Sequence, residues 1–456
     1  MSKAAWTLAI EALSWIELKR IGERTALSKV ALQLGINDSK AVRLAHKLVF
    51  ETIRRKNLID SLVNSVVAPG SLNDFRLGLR AFLRLYTYET KVARGSFEKA
   101  VRIARMGRSI LGWRELQKVE ETLGEIRNIN VDDVLKRVHN EEKVGLLTFH
   151  PTWFVKYCFL LLGRMEALKY LESSIEAPSI YVRINTLKAP ERVLLSKIGK
   201  EGVTLEKVPG LRYTYRVIRT EQLLTRTQSF QDGFFYIQDK ASCLAAEVAH
   251  PQRGMTVLDV CAAPAAKTTY LAQRMENKGT ICSLDYSRRR MNVWKRETER
   301  MGVKIAVPVL ADVRKPLPLK TLADLVILDP PCTSTGAFNR MPSAKWRLGK
   351  RSLRSMSRIQ WEMLNVCGNY VDNGGYLVYS TCSIAVEENE MLIERFLKWH
   401  PQFTLVETLP RIGRPGLRGQ TTCQRLYPHL HDCNGFFIAK LLKEPFQRDL
   451  DVSCRN

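Results

Sequence analysis

Residues 256–275 read TVLDVCAAPAAKTTYLAQRM: an apolar run, a loop of small residues, and then a helical pattern. The same order returns downstream in TICSLDY, which precedes a charged segment from Ser287, and in ADLVILDPP, which precedes LRSMSRIQWEMLNVC. Near-continuous apolar strands that alternate with helices are typical of a parallel sheet covered on both faces. The stretch therefore predicts an α/β domain with a doubly wound, mostly parallel sheet.

The pattern changes upstream of this domain. Residues 1–148 read almost entirely as amphipathic helices. In the following segment, Pro151 opens a helix that we expect to end near Leu171, and the short strands SIYVRIN and VTLEKV flank a helix that starts at Pro190. The sequence thus predicts an all-α bundle at 1–148, a small α+β domain at 150–236, the sheet domain at 237–445 and a tail at 446–456.

The chain carries a formal net charge of +25, which favours a polyanionic partner such as nucleic acid. Residues 337–361 hold seven Lys/Arg and no acid, and residues 411–425 hold four Arg and no acid. Trp346 and Trp361 interleave the first run, where they can stack on bases or pack in the core. We therefore expect two basic surfaces that contact phosphates.

Ten cysteines are scattered without a CxxC pair, as is typical of a reducing compartment. No stretch approaches the ~18 continuous apolar residues of a membrane span, and the N-terminus lacks a cleavage-site pattern. We expect a cytoplasmic, monomeric protein without a membrane partner.

Acidic residues follow three strands of the predicted sheet: Asp285, Asp312 and Asp329. Ligands of such sheets bind beyond the strand C-termini, and an acid after the second strand suits ribose hydroxyls. The loop AAPAAKTT lacks the glycines of a P-loop, and no GxGxxG for a dinucleotide is present. The pattern favours a nucleoside-bearing cofactor, although the small loop by itself would also suit plain strand–helix packing.

Two cysteines stand at the ends of predicted strands, Cys332 in LDPPCTSTG and Cys382 in LVYSTCS. A thiol reacts as thiolate and needs an activating cation or helix N-terminus, for which the neighbouring basic run offers candidates. No histidine lies in or beside either motif, which disfavours a Cys–His dyad. We interpret Cys243, Cys282 and Cys367 as inert buried thiols.

The segment CQRLYPHLHDC has donor types that suit zinc: Cys423, His429, His431 and Cys433. Their spacing does not match the usual paired knuckle, so we expect a turn before the last strand rather than a metal site.

Together these motifs resemble a known family. VLDVCAAPAAKTT, SLDYS, LDPPCTSTG, YSTCS with EENE, and YPHLHDCNGFFIAKL resemble the motifs of the Sun/nucleolar-protein family of S-adenosylmethionine-dependent RNA cytosine-C5 methyltransferases. YVRINTLK and YIQDKAS resemble its preceding small, RRM-like domain. KLVFETIRRKNLIDSL and LNDFRLGLRAFLRLYTYE resemble the NusB-like RNA-binding domain of the bacterial 16S rRNA members. The resemblance covers nearly the whole chain and implies a Rossmann-like methyltransferase domain.

The resemblance implies roles for the strand-end residues. Cys382 would attack carbon 6 of cytosine, and Cys332 would assist proton removal and release. Asp329 would hold the cytosine edge and touch the cofactor, and Lys267 would join them in the catalytic set. S-adenosylmethionine would be held by the loop and the residues after the strands: Cys261, Ala262, Ala263, Pro264, Ala265, Ala266, Lys267, Asp285, Arg290, Asp312 and Asp329.

One departure concerns the cofactor loop, which commonly reads CAAPGGK in the family and here reads CAAPAAK. If the backbone of Ala265 or Ala266 needs a positive φ, alanine is strained there and cofactor affinity suffers.

The expected partner is RNA, rRNA rather than tRNA. Two other readings stay open at this point. One is a DNA cytosine-C5 methyltransferase, in which a cysteine of the PC type attacks. The other is a non-catalytic RNA-binding assembly factor, which the alanine pair in the cofactor loop alone supports.

Overall fold

The structure is a computed structural model, and it describes residues 2–176 and 178–445. The predicted tail at 446–456 lies outside the described residues. The chain divides into two compact units. Among the described residues, we call 2–176 with 338–349 the helical unit, and 178–337 with 350–445 the sheet unit.

The helical unit is all-α, as predicted for residues 1–148. The apolar faces of its helices pack together into one core, in which Leu8, Val49 and Phe82 are fully buried. The helices up to residue 173 are α1 Lys3–Lys19, α2 Glu23–Gln33, α3 Ser39–Arg54, α4 Lys56–Val67, α5 Leu77–Thr87, α6 Phe97–Leu111, α7 Trp113–Leu116, α8 Glu120–Asn128, α9 Val131–Lys136, α10 Asn140–Leu147, α11 Thr152–Leu162 and α12 Arg164–Ser173.

The segment after Pro151 differs from the expectation in two respects. It forms two helices rather than one, because Gly163 takes a positive φ of 73° between α11 and α12. Both helices pack in the helical unit and not in the small domain that we expected to begin at residue 150. No single described helix is long and apolar enough to cross a membrane; α10 and α11 reach that length and hydropathy only as a pair bent by 103°.

The segment 338–349, from the middle of the sheet domain's sequence, also belongs to the helical unit. It contains helix α18 Ala344–Arg347. The Trp346 indole donates to the carbonyl of Ile53 at 2.6 Å, and the Lys345 ammonium, which is almost fully buried, donates to the carbonyl of Phe149. This first part of the basic run is therefore structural.

The sheet unit begins with a four-stranded antiparallel sheet in the order β2-β3-β1-β4. Arg183, on β1, is fully buried and donates to Gln238 at 3.0 Å, to Thr269 at 2.7 Å and to Gln273. These bonds fix the helix that follows the cofactor loop. The elements are β1 Tyr181–Ile184, α13 Glu191–Lys200, β2 Val203–Lys207, β3 Thr214–Thr220, α14 Gln228–Gln231, β4 Phe235–Ile237 and α15 Lys240–Ala249.

The main sheet has nine strands in the order β11-β12-β13-β9-β8-β5-β6-β7, with β10 paired to β13. Strands β9, β8, β5, β6 and β7 are parallel, as predicted, and the last strands join antiparallel. Its elements are β5 Thr256–Val260, α16 Ala266–Arg274, β6 Thr280–Asp285, α17 Arg288–Met301, β7 Ala306–Leu310, β8 Ala323–Leu328, α19 Lys350–Asn369, β9 Val371–Thr381, α20 Glu390–Trp399, β10 Phe403–Val406, β11 Arg414–Pro415, β12 Gln424–Leu426, α21 Pro428–His431 and β13 Phe436–Lys443.

This sheet is apolar on both faces because helices cover both. Along β5, Val257 packs with α15 and α16 on one side, while Leu258 packs with the cluster that contains Leu364 and Phe396 on the other. The chain runs from β5 to β6 and β7 in one direction and then returns to β8 and β9 on the other side. The switch point therefore lies beyond the C-termini of β5 and β8, where ligands of such sheets bind.

Candidate active site

A cavity of about 240 Å³ opens at this switch point. Four of the residues predicted to hold a cofactor line it: Cys261, Asp285, Arg290 and Asp312. Tyr286 and Pro331, which also line it, belong to the motifs SLDYS and LDPPCTSTG, whereas the remaining lining residues stood out in no motif: Ala311, Val313, Arg314, Ile359 and Met363. Most of them are apolar or aromatic, as expected of a site for a flat ring with a few polar contacts.

Asp285 is the best candidate for a ribose partner in this cavity. Its Oδ1 accepts the backbone N–H of Ser287 at 3.0 Å. Its buried Oδ2 has no hydrogen bond within the described residues, although the Arg290 guanidinium lies 3.1 Å away in an ion pair. A buried acceptor that faces a cavity suits a hydroxyl donor. Asp312 is already engaged, since hydrogen bonds from Arg314 lower its pKa to about 2.

The cofactor loop connects β5 to α16, and its backbone is unusual at Ala265. This residue has φ 88° and ψ 8°, in the left-handed region that glycine prefers, and it is fully buried. Its N–H donates to the carbonyl of Ala262 at 2.8 Å, which closes the turn. Ala266 is instead the first helical residue. The expected strain therefore falls on one of the two alanines.

Lys267 and Asp259 are buried polar residues below the loop, and Asp329, beside them, is partly exposed. Lys267 is almost fully buried and pairs with the Asp329 carboxylate, so that its pKa is raised although burial opposes this. Burial raises the pKa of Asp259 to about 7, while a hydrogen bond from Thr268 works against that rise. The Trp294 indole donates to Thr268 at 3.0 Å and completes the group.

The two strand-end thiols meet, with 3.2 Å between their sulfur atoms. Ser334 Oγ lies 3.4 Å from the Cys382 sulfur and 3.8 Å from the Cys332 sulfur. Hydrogen bonds with Cys332 and Ser334 lower the pKa of Cys382 although burial opposes this, whereas the contact with Cys382 and burial raise the pKa of Cys332 well above its usual value. Of the two thiols, Cys382 therefore ionises more readily, and its two hydrogen-bond partners rather than a cation of the basic run favour this.

The loops that carry the thiols are joined directly. The Gly336 N–H donates to the carbonyl of Cys382 at 3.0 Å, and the Ile384 N–H donates to Thr335 Oγ1 at 3.0 Å. Gly435 packs against Gly336 so closely that a Cβ on Gly336 would lie 2.1 Å from the Gly435 carbonyl oxygen. These contacts leave the thiols little room to separate.

The basic surfaces are smaller than the sequence suggests. Lys345 is buried in the helical unit, and Arg425 is buried in an ion pair with Glu390 at 2.5 Å. Arg418 pairs with Glu394 at 2.9 Å. The exposed cations of the first run lie on the first turns of α19: Lys350, Arg351, Arg354 and Arg358. The exposed positive charge of this segment therefore lies on one helix end.

The Cys and His residues of the segment CQRLYPHLHDC form no cluster of metal ligands in the described structure. Within residues 2–176 and 178–445, no three His, Cys, Asp or Glu side chains are grouped as metal ligands. Cys423 and Cys433 are buried, and burial raises the pKa of Cys423 to about 12. Burial likewise raises the pKa of Cys243 to about 12, as expected of an inert thiol.

Sequence reasoning missed two residues of the thiol site, Ser334 and Glu388. Ser334 lies two residues after Cys332, in the TST tail of the motif, where a hydroxyl near a reactive thiol is a readable signal. Glu388 belongs to the EENE run, which reads as an acidic helix start, and nothing local marks the second acid as buried.

The family of "16S rRNA methyltransferase RsmB/F" matches residues 246–442 of the chain. The probable ribosomal RNA small subunit methyltransferase B of Bacillus subtilis is 28% identical and spans 96% of this chain and 98% of that protein. The ribosomal RNA small subunit methyltransferase B of Yersinia pseudotuberculosis is 30% identical over 68% of this chain and 70% of that protein. The 25S rRNA (cytosine-C(5))-methyltransferase nop2 of Schizosaccharomyces pombe is 31% identical over 62% of this chain and 49% of that protein.

Two solved structures share the architecture. The crystal structure of PH0851 is 28% identical, with a TM-score of 0.83 over 97% of this chain and 99% of that one. The crystal structure of NSun6 from Pyrococcus horikoshii with SFG, an S-adenosylmethionine analogue, is 27% identical. Its TM-score is 0.60 over 64% of this chain and 98% of that one.

Proposed function

Because this chain belongs to the RsmB/F family of 16S rRNA methyltransferases, we propose that it methylates carbon 5 of a cytosine in small-subunit rRNA through a covalent cysteine–cytosine intermediate. S-adenosylmethionine is the methyl donor and, when bound, supplies an electrophilic methyl group on a sulfonium. The observation that carries the proposal is the pair of sulfur atoms 3.2 Å apart, with the pKa of one thiol lowered and that of the other raised.

Cys382 is the nucleophile in this proposal. Carbon 5 of cytosine is a poor nucleophile, and addition of a thiolate to carbon 6 makes carbon 5 enamine-like. We place the thiolate at Cys382, whose thiol donates to the Ser334 hydroxyl at 3.4 Å; once the thiol has ionised, that hydroxyl can donate to the sulfur instead. The target base must be unstacked to reach this position.

Cys332 acts after methylation. The proton on carbon 5 must leave before the Cys382–carbon 6 bond can break, and Cys332, with its sulfur 3.2 Å from the attacking sulfur, is placed to assist. Its raised pKa keeps Cys332 protonated while Cys382 attacks. For release, Cys332 first gives its own proton to water and then takes the proton from carbon 5, and the electron pair left behind expels Cys382 from carbon 6 as a thiolate. Asp329 and Lys267 form an ion pair beside the thiols, where we propose that Asp329 holds the cytosine edge and that Lys267 fixes its carboxylate.

The cofactor cavity and the thiols share one loop, which supports a single reaction site. Pro331 lines the cavity and Cys332 is the next residue. We propose that the donor's ribose contacts Asp285 and that the loop at 261–266 lies along its amino-acid part. Of the residues predicted to hold the cofactor, Cys261, Asp285, Arg290 and Asp312 line the cavity, which supports the proposal. The others stay predictions: Ala262, Ala263, Pro264, Ala265, Ala266, Lys267 and Asp329.

The proposal is tested by one denaturing gel with labelled, unmodified small-subunit rRNA. Cys382→Ala should abolish methyl transfer and form no adduct. Cys332→Ala should still attack and methylate but stall at release, so that a protein–RNA adduct accumulates. An adduct with Cys382→Ala and none with Cys332→Ala would reverse the roles and favour the mechanism of DNA cytosine-C5 methyltransferases. Methylation by both variants without any adduct would contradict the two-thiol mechanism.

RNA as partner is supported by the relatives' names and by the exposed cations on α19. We propose that the helical unit is a NusB-like RNA-binding domain, that the four-stranded sheet is an RRM-like domain, and that the protein works as a monomer. The free thiols of the described residues suit the cytoplasm. A tRNA target would appear as methylation of tRNA instead of rRNA in the same assay, and a non-catalytic assembly factor would show no S-adenosylmethionine binding in calorimetry.

A further inference from the structure

Glu388 is a buried carboxylate between the two thiol-bearing loops. Its side chain has no exposed surface. Four hydrogen bonds reach it: from the Thr333 N–H at 2.9 Å, from the Thr333 hydroxyl, from the Ser383 hydroxyl, and from the Gln360 amide at 2.9 Å. Burial of a carboxylate is costly unless such donors compensate. The donors come from three separate segments, so the carboxylate joins segments that are distant in the chain.

The first two segments are those of the thiols. Thr333 directly follows Cys332, and Ser383 directly follows Cys382. Both hydroxyls donate to the same oxygen, Glu388 Oε2, so that both loops are fixed relative to one atom. We propose that Glu388 is a positioning residue that sets the separation of the two thiols, a role that rests on the proposed two-thiol reaction.

The third segment braces the Cys332 loop from its other side. Gln360, on α19, donates to the carbonyl of Pro331 at 3.0 Å as well as to Glu388. The loop is therefore held at the residue before Cys332 and at the residue after it. Glu388 is itself fixed, because the Tyr379 hydroxyl donates to its backbone carbonyl at 2.7 Å. The carboxylate thus has a defined place from which to position its partners.

The charge of Glu388 does not help the thiolate. The pKa of Cys382 is lowered by hydrogen bonds with Cys332 and Ser334, and the nearby negative charges of Asp329 and Glu388 oppose this. Lys267 is the cation that interacts with the charge of Cys382. A role in activation would therefore require the opposite charge, which leaves position as the contribution of Glu388. An amide of the same shape keeps one of the two acceptor oxygens and should keep part of that contribution.

The experiment measures thiol proximity without RNA or methyl donor. Phenylarsine oxide binds two neighbouring thiols by forming two As–S bonds with loss of water, so it reports whether both sulfurs reach one arsenic atom. In the full-length protein, Glu388→Ala should weaken arsenical binding by at least about tenfold because the second thiol no longer lies in place. Turnover on unmodified small-subunit rRNA should fall by about 100-fold, as expected of a displacement near 1 Å.

Three variants make the result specific. Glu388→Gln keeps the shape and one acceptor oxygen, which can take the Thr333 and Ser383 hydroxyls, but its NH2 then faces the Thr333 N–H and the Gln360 amide, so it should lie between the parent and Glu388→Ala in both assays. Glu387→Ala, which alters the partly exposed neighbouring acid, should match the parent in both assays. The Cys332→Ala/Cys382→Ala double variant gives the background from other thiols. Glu388→Ala with unchanged arsenical binding and turnover would overturn the proposal.

If Glu388→Ala does not fold, Thr333→Val with Ser383→Ala removes both hydroxyls and leaves the carboxylate. The same loss of arsenical binding is expected, and parent-like binding would again overturn the proposal. The arsenical assay also separates this inference from the proposed function. If Glu388→Ala loses arsenical binding while the parent methylates no RNA, the positioning role is supported and the proposed methyltransferase function is contradicted. If the parent and Glu388→Ala methylate RNA equally and bind the arsenical equally, the proposed function is supported and the positioning role is contradicted.

Discussion

The thiol loop at 332–336 and the cofactor loop at 261–266 each follow a parallel strand and each contain a non-glycine residue with a positive φ, but they are closed in different ways. The thiol loop holds Ser334 at φ 55° and ends at Gly336, where the Gly435 carbonyl leaves no room for a Cβ. The cofactor loop holds Ala265 at φ 88°, and a hydrogen bond from its N–H to the Ala262 carbonyl closes the turn within the loop. The thiol loop is thus fixed by contact with a distant segment, and the cofactor loop by its own turn.

The two regions also differ in the number of hydrogen bonds that their buried carboxylates receive. Glu388 receives four hydrogen bonds between the thiol loops. Asp259, below the cofactor loop, receives one from the Thr268 hydroxyl, and its pKa is raised to about 7 by burial. Hydrogen bonds to one shared carboxylate therefore join the two thiol loops, whereas the cofactor loop is held at its backbone carbonyls, by the Arg290 side chain at Ala263 and by the Tyr236 hydroxyl at Pro264.

Gly336→Ala should have the largest effect, because it disrupts the backbone contact that fixes the thiol loop. The added methyl would meet the Gly435 carbonyl oxygen at 2.1 Å, so the thiol loop at Gly336 and the segment that contains Gly435 must move apart. We expect the free energy of unfolding to fall by about 3 kcal/mol or more, and the Cys332–Cys382 contact to be lost. Urea denaturation and the arsenical assay measure the two effects. Gly349→Ala is the control, because no atom lies within 4 Å of its added Cβ.

Asp259 gives the region below the cofactor loop a pH dependence. Because its folded pKa is raised, its contribution to stability is full below the unfolded pKa of about 4 and is lost as pH rises to about 7. Relative to Asp259→Asn, the parent should lose roughly 2.5 kcal/mol of unfolding free energy between pH 5 and pH 8. Urea denaturation of both proteins at the two pH values measures this. A constant difference between them would show that Asp259 is ionised throughout.

Within the cofactor cavity, Asp285 and Asp312 differ in how fully their carboxylates are already hydrogen-bonded by the protein. Asp285 has a buried oxygen without a hydrogen bond in the described structure, whereas Asp312 is engaged by Arg314. Asp285→Ala should weaken S-adenosylmethionine binding by about 10- to 100-fold, the loss of a hydrogen bond to a charged group. Asp312→Ala should weaken it only by a few-fold. Isothermal calorimetry checks both, and equal losses would contradict the assignment of Asp285 to the ribose.

We expect the smallest effect at the two alanines of the cofactor loop, Ala265 and Ala266. Replacement by glycine should change the free energy of unfolding in opposite directions at the two positions. Ala265→Gly removes a Cβ from a left-handed backbone and should raise the free energy of unfolding by about 1 kcal/mol. Ala266→Gly places glycine at the start of a helix and should lower it by up to about 1 kcal/mol. Thermal unfolding of both variants decides this. If Ala265→Gly is no more stable than the parent, the turn at Ala265 is not strained.

Local sequence patterns were enough for the strand ends. Asp285, Asp329, Cys332 and Cys382 were placed after parallel strands because apolar runs, prolines and small residues act over a few positions. The meeting of the two thiols also follows, since parallel strands bring their C-termini to one edge. The antiparallel strands β10 to β12 were not foreseen, because strands of two to four residues carry no periodic signal.

The tertiary structure decided which polar residues are exposed. Lys345 and Lys350 belong to one basic run, but Lys345 is buried against the Phe149 carbonyl and Lys350 is exposed. Likewise, Glu387 and Glu388 are adjacent acids, and only Glu388 lies between the thiol loops. A charge pattern records which groups are present but not their partners. Those partners come from segments far apart in the chain, so the sequence determined the strands and their reactive ends, while long-range contacts determined which side chains hold them in place.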